Sequence, residues 1–432
     1  MVVTNPRNFG RGGGGVRSPA MKDTRAATPG RFDSLRIPAY RRLWWGGMCA
    51  FGAGQMTLIA RGWLAFDLTG TNAALGAVLI GFGLSSLVAI PVGGLLADRY
   101  SKRNIIVWAQ VAQTLVSATV ATLVAAGRIE FWMLIAASVV QGAAISVLAP
   151  SRLALIADII DRDRLTNAVF LSSMSVQVTR VIGPATAGAL IGIETIGISG
   201  VYYVGAAIAF LSVLLTLGLP AGRPKRRSTR SPLEDIQDGL AYVRRRPELV
   251  RLLVVSLVVV MVGFPYVAFL PAMSEGIFGQ GATGFGIMNT VAAVGAVITT
   301  LTLANIERHK LAAYQSGAGL LFGIALVSLS VSPAFVVALV AMLFVGATSM
   351  TFQTLNNSAV LSLADVEYHG RVQSLLMFSF SGFGLAALPL GLIADAVGLR
   401  QTMVVMGIAV VVFMLGAERW RRRLAPTDLP AL

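Results

Sequence analysis

Gly94-Leu95-Leu96-Ala97-Asp98-Arg99-Tyr100-Ser101-Lys102-Arg103 is a short charged turn between two long apolar stretches. Residues 74–96 before it and 104–126 after it carry no acidic or basic side chain. A helix rises about 1.5 Å per residue, so about 20 apolar residues cross a hydrocarbon core ~30 Å thick. Both flanks are long enough. Backbone polar groups in hydrocarbon need internal partners, so each flank reads as a membrane-spanning helix, with a tight charged loop between them at one membrane face.

The same pattern extends outward. The chain has 432 residues, of which 55% are hydrophobic and 13% charged. Its mean hydropathy is +0.74. A soluble protein carries about 25% charged residues, so most side chains here face lipid or other helices. The expected spans are 43–66, 74–96, 104–126, 131–151, 167–191, 199–218, 251–273, 284–304, 312–331, 333–355, 372–394 and 402–417. That makes twelve.

Net charge is +15, which raises nucleic acid as a partner. The distribution argues against it. With the N-terminus inside, 31 of the 35 basic residues fall in the inner segments, and the outer loops keep only Arg128 and Arg400. This positive-inside bias puts both termini in the cytoplasm and favours anionic lipid headgroups as partners. Residues 1–36 lack an apolar core, so they read as a disordered cytoplasmic tail, not a cleavable signal. Cys49 is the single cysteine, and His309 and His369 are isolated, so no disulfide framework, metal site or cofactor is expected.

A linker over 219–250 divides the expected spans six and six, giving bundles over 37–218 and 251–418 and a tail from 419 to 432. Its second part, Ser231-Pro232-Leu233-Glu234, has the marks of a helix start. Leu233, Ile236, Leu240 and Val243 then share one face, as in an amphipathic helix lying on the inner leaflet. The halves match at a constant offset. Asp158 and Arg164 follow the fourth span, and Asp365 and Arg371 follow the tenth, each pair 207 positions apart. The same offset brings Lys102-Arg103 onto His309-Lys310, with Asn305 where Asp98 would be.

The Gly-x-x-x-Asp-Arg-x-x-Lys-Arg turn resembles the loop between helices 2 and 3 of major facilitator superfamily transporters, with Ser101 where the usual pattern has a second glycine. Arg152-x-Ala154-x-Ile156-x-Asp158, Asn167-Ala168, Leu68-Thr69-Gly70 and Gly183-Pro184 resemble the branch containing enterobactin-type siderophore exporters and macrolide efflux proteins. Part of the fifth-helix signature of drug–proton antiporters is present as Gly183-Pro184 and Gly188, while Thr179 and Ala187 replace two of its glycines. The resemblance implies an all-α membrane protein with twelve transmembrane helices in two pseudo-symmetric six-helix bundles. It also implies a monomeric efflux transporter of the cell (inner or plasma) membrane, leaning toward export over uptake.

Charge in hydrocarbon is costly, so ionisable residues there are functional candidates. Arg180 lies midway along the fifth span, too deep to snorkel. It reads either as an anchor for an anionic or hydrogen-bonding cargo or as a guanidinium satisfied by carbonyls near Pro184. Arg61 sits near the outer end of the first span, where it reads as a cavity contact for a neutral or anionic cargo or as a side chain within snorkelling reach. No Asp or Glu lies deep in a span, which argues against a site for cationic drugs. Asp67 and Glu275, at the outer ends of spans 1 and 7, read as proton acceptors at the mouth or as solvated residues.

By the resemblance, helices 1, 4, 7 and 10 line the cavity with 2, 5, 8 and 11 beside them. Gln55, Gln141, Gln353 and Asn289 would then point into it; the plainer reading is interhelical hydrogen bonding. Tyr266, beside Pro265, reads as a stacking surface for an aromatic cargo or as an interface aromatic. The resemblance assigns gating to Asp98, Arg99, Lys102 and Arg103, with Asp158, Arg164, Asp365 and Arg371 as counterparts. Asp98 would accept backbone N–H groups of a neighbouring helix or pair across the bundle. Gly94, Gly183, Pro184, Gly188, Pro389 and Gly391 would permit close packing and bending.

The leading expectation is a secondary-active, proton-coupled exporter of a small neutral or anionic compound. An uptake permease, an uncoupled facilitator for an organic anion and a non-transporting membrane scaffold or lipid-handling protein are the rivals. No phosphate-binding loop or catalytic constellation points to an enzyme.

Overall fold

The structure is a computed structural model that describes residues 32–193, 195–222, 232–302 and 311–424. Six long helices come first: α1 (Pro38–Thr69), α2 (Asn72–Arg99), α3 (Lys102–Ala125), α4 (Phe131–Ile159), α5 (Arg162–Ile191) and α6 (Gly197–Leu217). The linker helix α7 (Pro232–Arg244) follows, then α8 (Pro247–Val262), α9 (Tyr266–Ala272), α10 (Gly281–Thr302), α11 (Leu311–Ser330), α12 (Phe335–Leu363), α13 (His369–Val397) and α14 (Leu399–Leu424). The described residues contain no strand. Nine spans, one of them Pro247–Ile277, which takes in α8 and α9, are long and apolar enough to cross a membrane among the described residues. The long helices α1, α5 and α13 fall outside that set; α13 contributes only a shorter apolar segment, Gly382–Val397. In α5, Ser172, Ser173, Ser175, Thr179 and Arg180 dilute the apolar surface.

Local chemistry explains the ends. Gly70 caps α1 in the left-handed region at φ 66, where a side chain would be strained. The Ser101 departure has a cause: its side chain caps α3 by accepting the Asn104 N–H at 3.3 Å. Several helices run beyond their apolar windows, because backbone hydrogen bonding continues after hydrophobicity stops. Thus α4 extends to Ile159, and α14 takes in Arg419–Arg423, placed in a tail by the sequence reading. The expected seventh span, 251–273, is broken. Pro265 has no N–H to donate and its ring is incompatible with the preceding helical turn, so the chain turns through Gly263-Phe264-Pro265 and resumes as α9. A π-helical turn, Met273–Ile277, completes the segment.

Two other expectations change. The end of the expected tail is ordered: Asp33–Arg36 forms a 3-10 turn, and buried Ser34 donates its hydroxyl to Asn167 Oδ1 at 2.7 Å. The linker helix forms as expected, but Val243 on its apolar face is buried with Leu249, Val360 and Val372. That part of the face packs on protein where lipid was expected.

The two halves repeat each other's packing. α2 packs on α4, α3 on α4 and α6, and α1 on α5 and α6; likewise α10 packs on α12, α11 on α12 and α14, and α8 on α13 and α14. The halves meet along α2/α13 and α5/α10, which the repeat interchanges. At the second seam Gly188 and Gly286 touch backbone to backbone, and a methyl on either would collide with the other's Cα.

Candidate functional site

Arg180 lies in the middle of α5 and donates from Nη1 to Gln353 Oε1 of α12 at 2.9 Å. The bond joins the halves midway across the bundle. Arg180 nonetheless keeps exposed surface and Gln353 is half-buried, so the space between the halves is not filled by side chains at this depth. Gln55 of α1 lies one turn away: its Cβ would be 2.6 Å from a methyl added to Gly183. The glycine lets α1 sit close enough for Gln55 to neighbour Arg180. Of the residues expected in the cavity, Arg180 and Gln353 thus meet between α5 and α12, and Gln55 packs on α5 one turn from Arg180.

The other expected cavity residues sit in helix packing. Arg61, expected to snorkel, is 1% exposed; Nη1 donates to Ser138 Oγ at 3.1 Å, and buried Tyr202 lies beside the guanidinium. The bundle closes around the side chain before it can reach the outer interface. Gln141 donates to Gly54 O and Thr57 Oγ1, both at 3.1 Å, stitching α4 to α1. Asn289 is spent on its own helix, donating to Phe285 O at 2.9 Å. Tyr266 is buried edge-on to Phe322, 6.0 Å between centroids. Gln113 to Ala50 O and Gln315 to Asn356 Oδ1 are further stitches. Asp67 and Glu275 are both exposed.

At the face carrying the basic loops, Lys102 is buried and pairs with Asp158 at 2.6 Å. Arg103 donates to Leu219 O at 3.2 Å, and Arg164 is exposed. In the second half Asp365 pairs with Arg246 at 2.7 Å and Arg371 with Asp238 at 2.9 Å. Both new partners belong to the linker region. Tyr242 and Tyr368 stack between them at 3.9 Å, with Arg246 over one ring and Arg371 over the other. The sequence analysis missed this clasp because its members are spread over 130 residues of otherwise ordinary loop chemistry. Lys102 and Asp158 thus pair within the first half, and Asp365 and Arg371 pair with the linker region. The side chains of Gly94, Asp98 and Arg99, and all of Asn305, His309 and Lys310, lie outside the described residues.

The opposite face is closed. Trp63 of α1 stacks on Phe285 of α10, centroids 5.8 Å apart. Gly188 meets Gly286 one turn deeper along α5, and Gly391 of α13 meets the start of α2. Pro184 and Pro389 lie inside α5 and α13. The two bundles are thus in close contact at one face, with Arg180 and Gln353 bonded between them midway along the helices.

A family model described as Major Facilitator Superfamily matches residues 43–385. The chain belongs to the major facilitator superfamily. Relatives within the superfamily include the staphyloferrin A transporter of Staphylococcus aureus, 27% identical over 74% of this chain and 80% of that protein. Macrolide efflux protein A of Streptococcus pyogenes is 22% identical over 78% of this chain and 84% of its own length. The enterobactin exporter EntS of Shigella flexneri is 23% identical over 79% and 83%. Among solved superfamily structures, a bacterial homologue of the lysosomal transporter Spinster, inward-facing and occupied, superposes with TM-score 0.72 at 17% identity, covering 92% of this chain and 99% of that one. The nucleoside transporter NupG superposes with TM-score 0.67 at 15% identity, covering 90% and 99%. These neighbours share the fold.

Proposed function

We propose that this superfamily member is a secondary-active exporter of a small neutral or anionic organic compound, siderophore- or drug-like, working by alternating access of its two halves. The carrying observation is the Arg180–Gln353 bond between the halves at mid-membrane. A guanidinium held there is a ready donor for a carboxylate, phenolate or carbonyl, and trading Gln353 for cargo would uncouple one half from the other. The macrolide efflux and enterobactin exporter relatives support the export direction. Twelve spans, both termini in the cytoplasm, a monomer in the plasma membrane and contact with anionic headgroups complete the reading.

Coupling to protons is part of this proposal, with Asp67 and Glu275 as exposed acceptors at the closed face. A second reading, an uncoupled facilitator for an organic anion, is favoured by one observation: no Asp or Glu lies deep in a span. Inverted membrane vesicles, acidic inside, separate the two. With catecholate siderophores, macrolides and organic anions as probes, gradient-driven uptake that Arg180→Ala abolishes is the expected result. Uptake indifferent to collapse of the gradient establishes the facilitator. No movement of any probe, with protein present and folded, overturns both.

A further inference from the structure

The α2/α13 seam ends in a contact that the sequence reading did not anticipate. Asp395, near the C-terminal end of α13, reaches across to the N-terminus of α2. Its Oδ1 accepts the Asn72 N–H at 2.8 Å and the Asn72 side-chain amide at 2.9 Å, and its Oδ2 accepts the Ala73 N–H at 2.9 Å. The first N–H groups of a helix have no partner within the helix and carry its positive dipole end. A carboxylate there makes charge-assisted hydrogen bonds. Both oxygens are engaged, and both backbone donors belong to the other half of the protein.

The packing beside it is independent of that bond. Gly391, one turn before Asp395, abuts the Asn72 carbonyl; deeper, Gly384 meets Leu79 and Gly76 meets Ala387 and Leu388. The backbones touch along the half of the seam that Asp395 terminates. The two helices start and end at opposite faces: α2 finishes with Asp98-Arg99 at the basic face, and α13 with Asp395 at the other. Each helix of the pair thus carries an aspartate within its last turn, and that of α13 lies against the start of α2.

We propose that Asp395 is the latch of the closed face: its bonds to Asn72 and Ala73 hold α2 against α13, and they must break for the protein to open on that side. The inference rests on the two-state, alternating-access reading above and names a residue that controls the balance between the states. Asp395 does not touch cargo; it acts through the position of α2.

The test reads conformation, so it stands whether or not a cargo is known. Cys49→Ala removes the single native cysteine, and Leu68→Cys with Val397→Cys places one spin label on each half at the closed face. Both positions are exposed, at 41% and 61%, and tolerate a label. Pulsed electron–electron distances on the full chain in lipid nanodiscs should show one short population. Asp395→Ala should shift the closed-to-open ratio on the order of tenfold, the size expected for hydrogen bonds to a charged group. Asn72→Ala, which spares the two backbone bonds, should shift it less. Asp395 is exposed, so its replacement leaves the core intact. If Asp395→Ala nevertheless fails to fold, Asp395→Asn, which keeps an acceptor but drops the charge, should shift the ratio in the same direction. A wild-type distribution already long, or one unchanged in both Asp395 variants, overturns the latch. Distances that shift as expected while no probe is transported would uphold the latch and count against the exporter reading.

Discussion

Arg180 was legible from one property, a charge too deep to reach either interface. What it touches was not, because helical register across two seams decides that. Arg180→Ala should lower cargo flux by about 10-fold or more, the loss of a hydrogen bond to a charged group, and Gln353→Ala by a few-fold. Both should leave the melting temperature in detergent nearly unchanged, since Arg180 is exposed. Arg61 teaches the opposite lesson. Its distance from the outer interface suggested snorkelling, yet neighbouring helices enclose it, and among the described residues it meets the Ser138 hydroxyl and buried Tyr202 and no carboxylate. Ser138→Ala would strand a buried guanidinium donor and should cost about 1–3 kcal/mol, read as a lower midpoint in a thermal or denaturant melt. Flux per folded molecule should survive.

Elements obey more local rules. The linker helix was readable from Ser231-Pro232 and the break in the seventh span follows from Pro265. The role of Ser101 was hidden, because a family pattern with glycine there does not say what a serine would do instead. With the cap in view, Ser101→Ala should destabilise by about 1 kcal/mol and Ser101→Gly by only a few tenths, measured by thermal melts. The linker clasp offers a second check. Tyr242 stacks on Tyr368 and its hydroxyl accepts the Asp365 N–H at 2.8 Å. Tyr242→Ala should loosen α7 and speed trypsin cleavage at Arg244–Arg246 several-fold, followed by fragment mass, while the rest of the chain stays resistant.

Across the whole molecule the governing feature is the pair of seams, α2/α13 and α5/α10, that the internal repeat interchanges. They carry the small residues, because helix backbones in a membrane associate through close packing instead of hydrophobic exclusion. Gly188→Val should force α5 from Gly286 and cost about 1–3 kcal/mol by overpacking, with a lowered melting temperature and a shift away from the closed face in the spin-label distances. A value-neutral result would mean that the seam carries no closing force.

Hydropathy was enough for the class, an all-helical membrane protein, because lipid imposes one rule on every span: satisfy the backbone internally and keep charge at the ends. The superfamily was legible in the resemblance carried by the Gly94–Arg103 turn, which the family match bears out. The equal offset of Asp158–Arg164 and Asp365–Arg371 exposed the repeat for the same reason, since equivalent slots face equivalent chemistry. Only the tertiary structure decided which polar residues meet at mid-membrane and which are consumed in stitching helices together. Gln141, Asn289 and Gln353 are alike in sequence, and rotation of each helix about its axis separates them. It alone revealed Asp395, an ordinary aspartate at a helix end until the start of another helix, over 300 residues earlier, is packed against it.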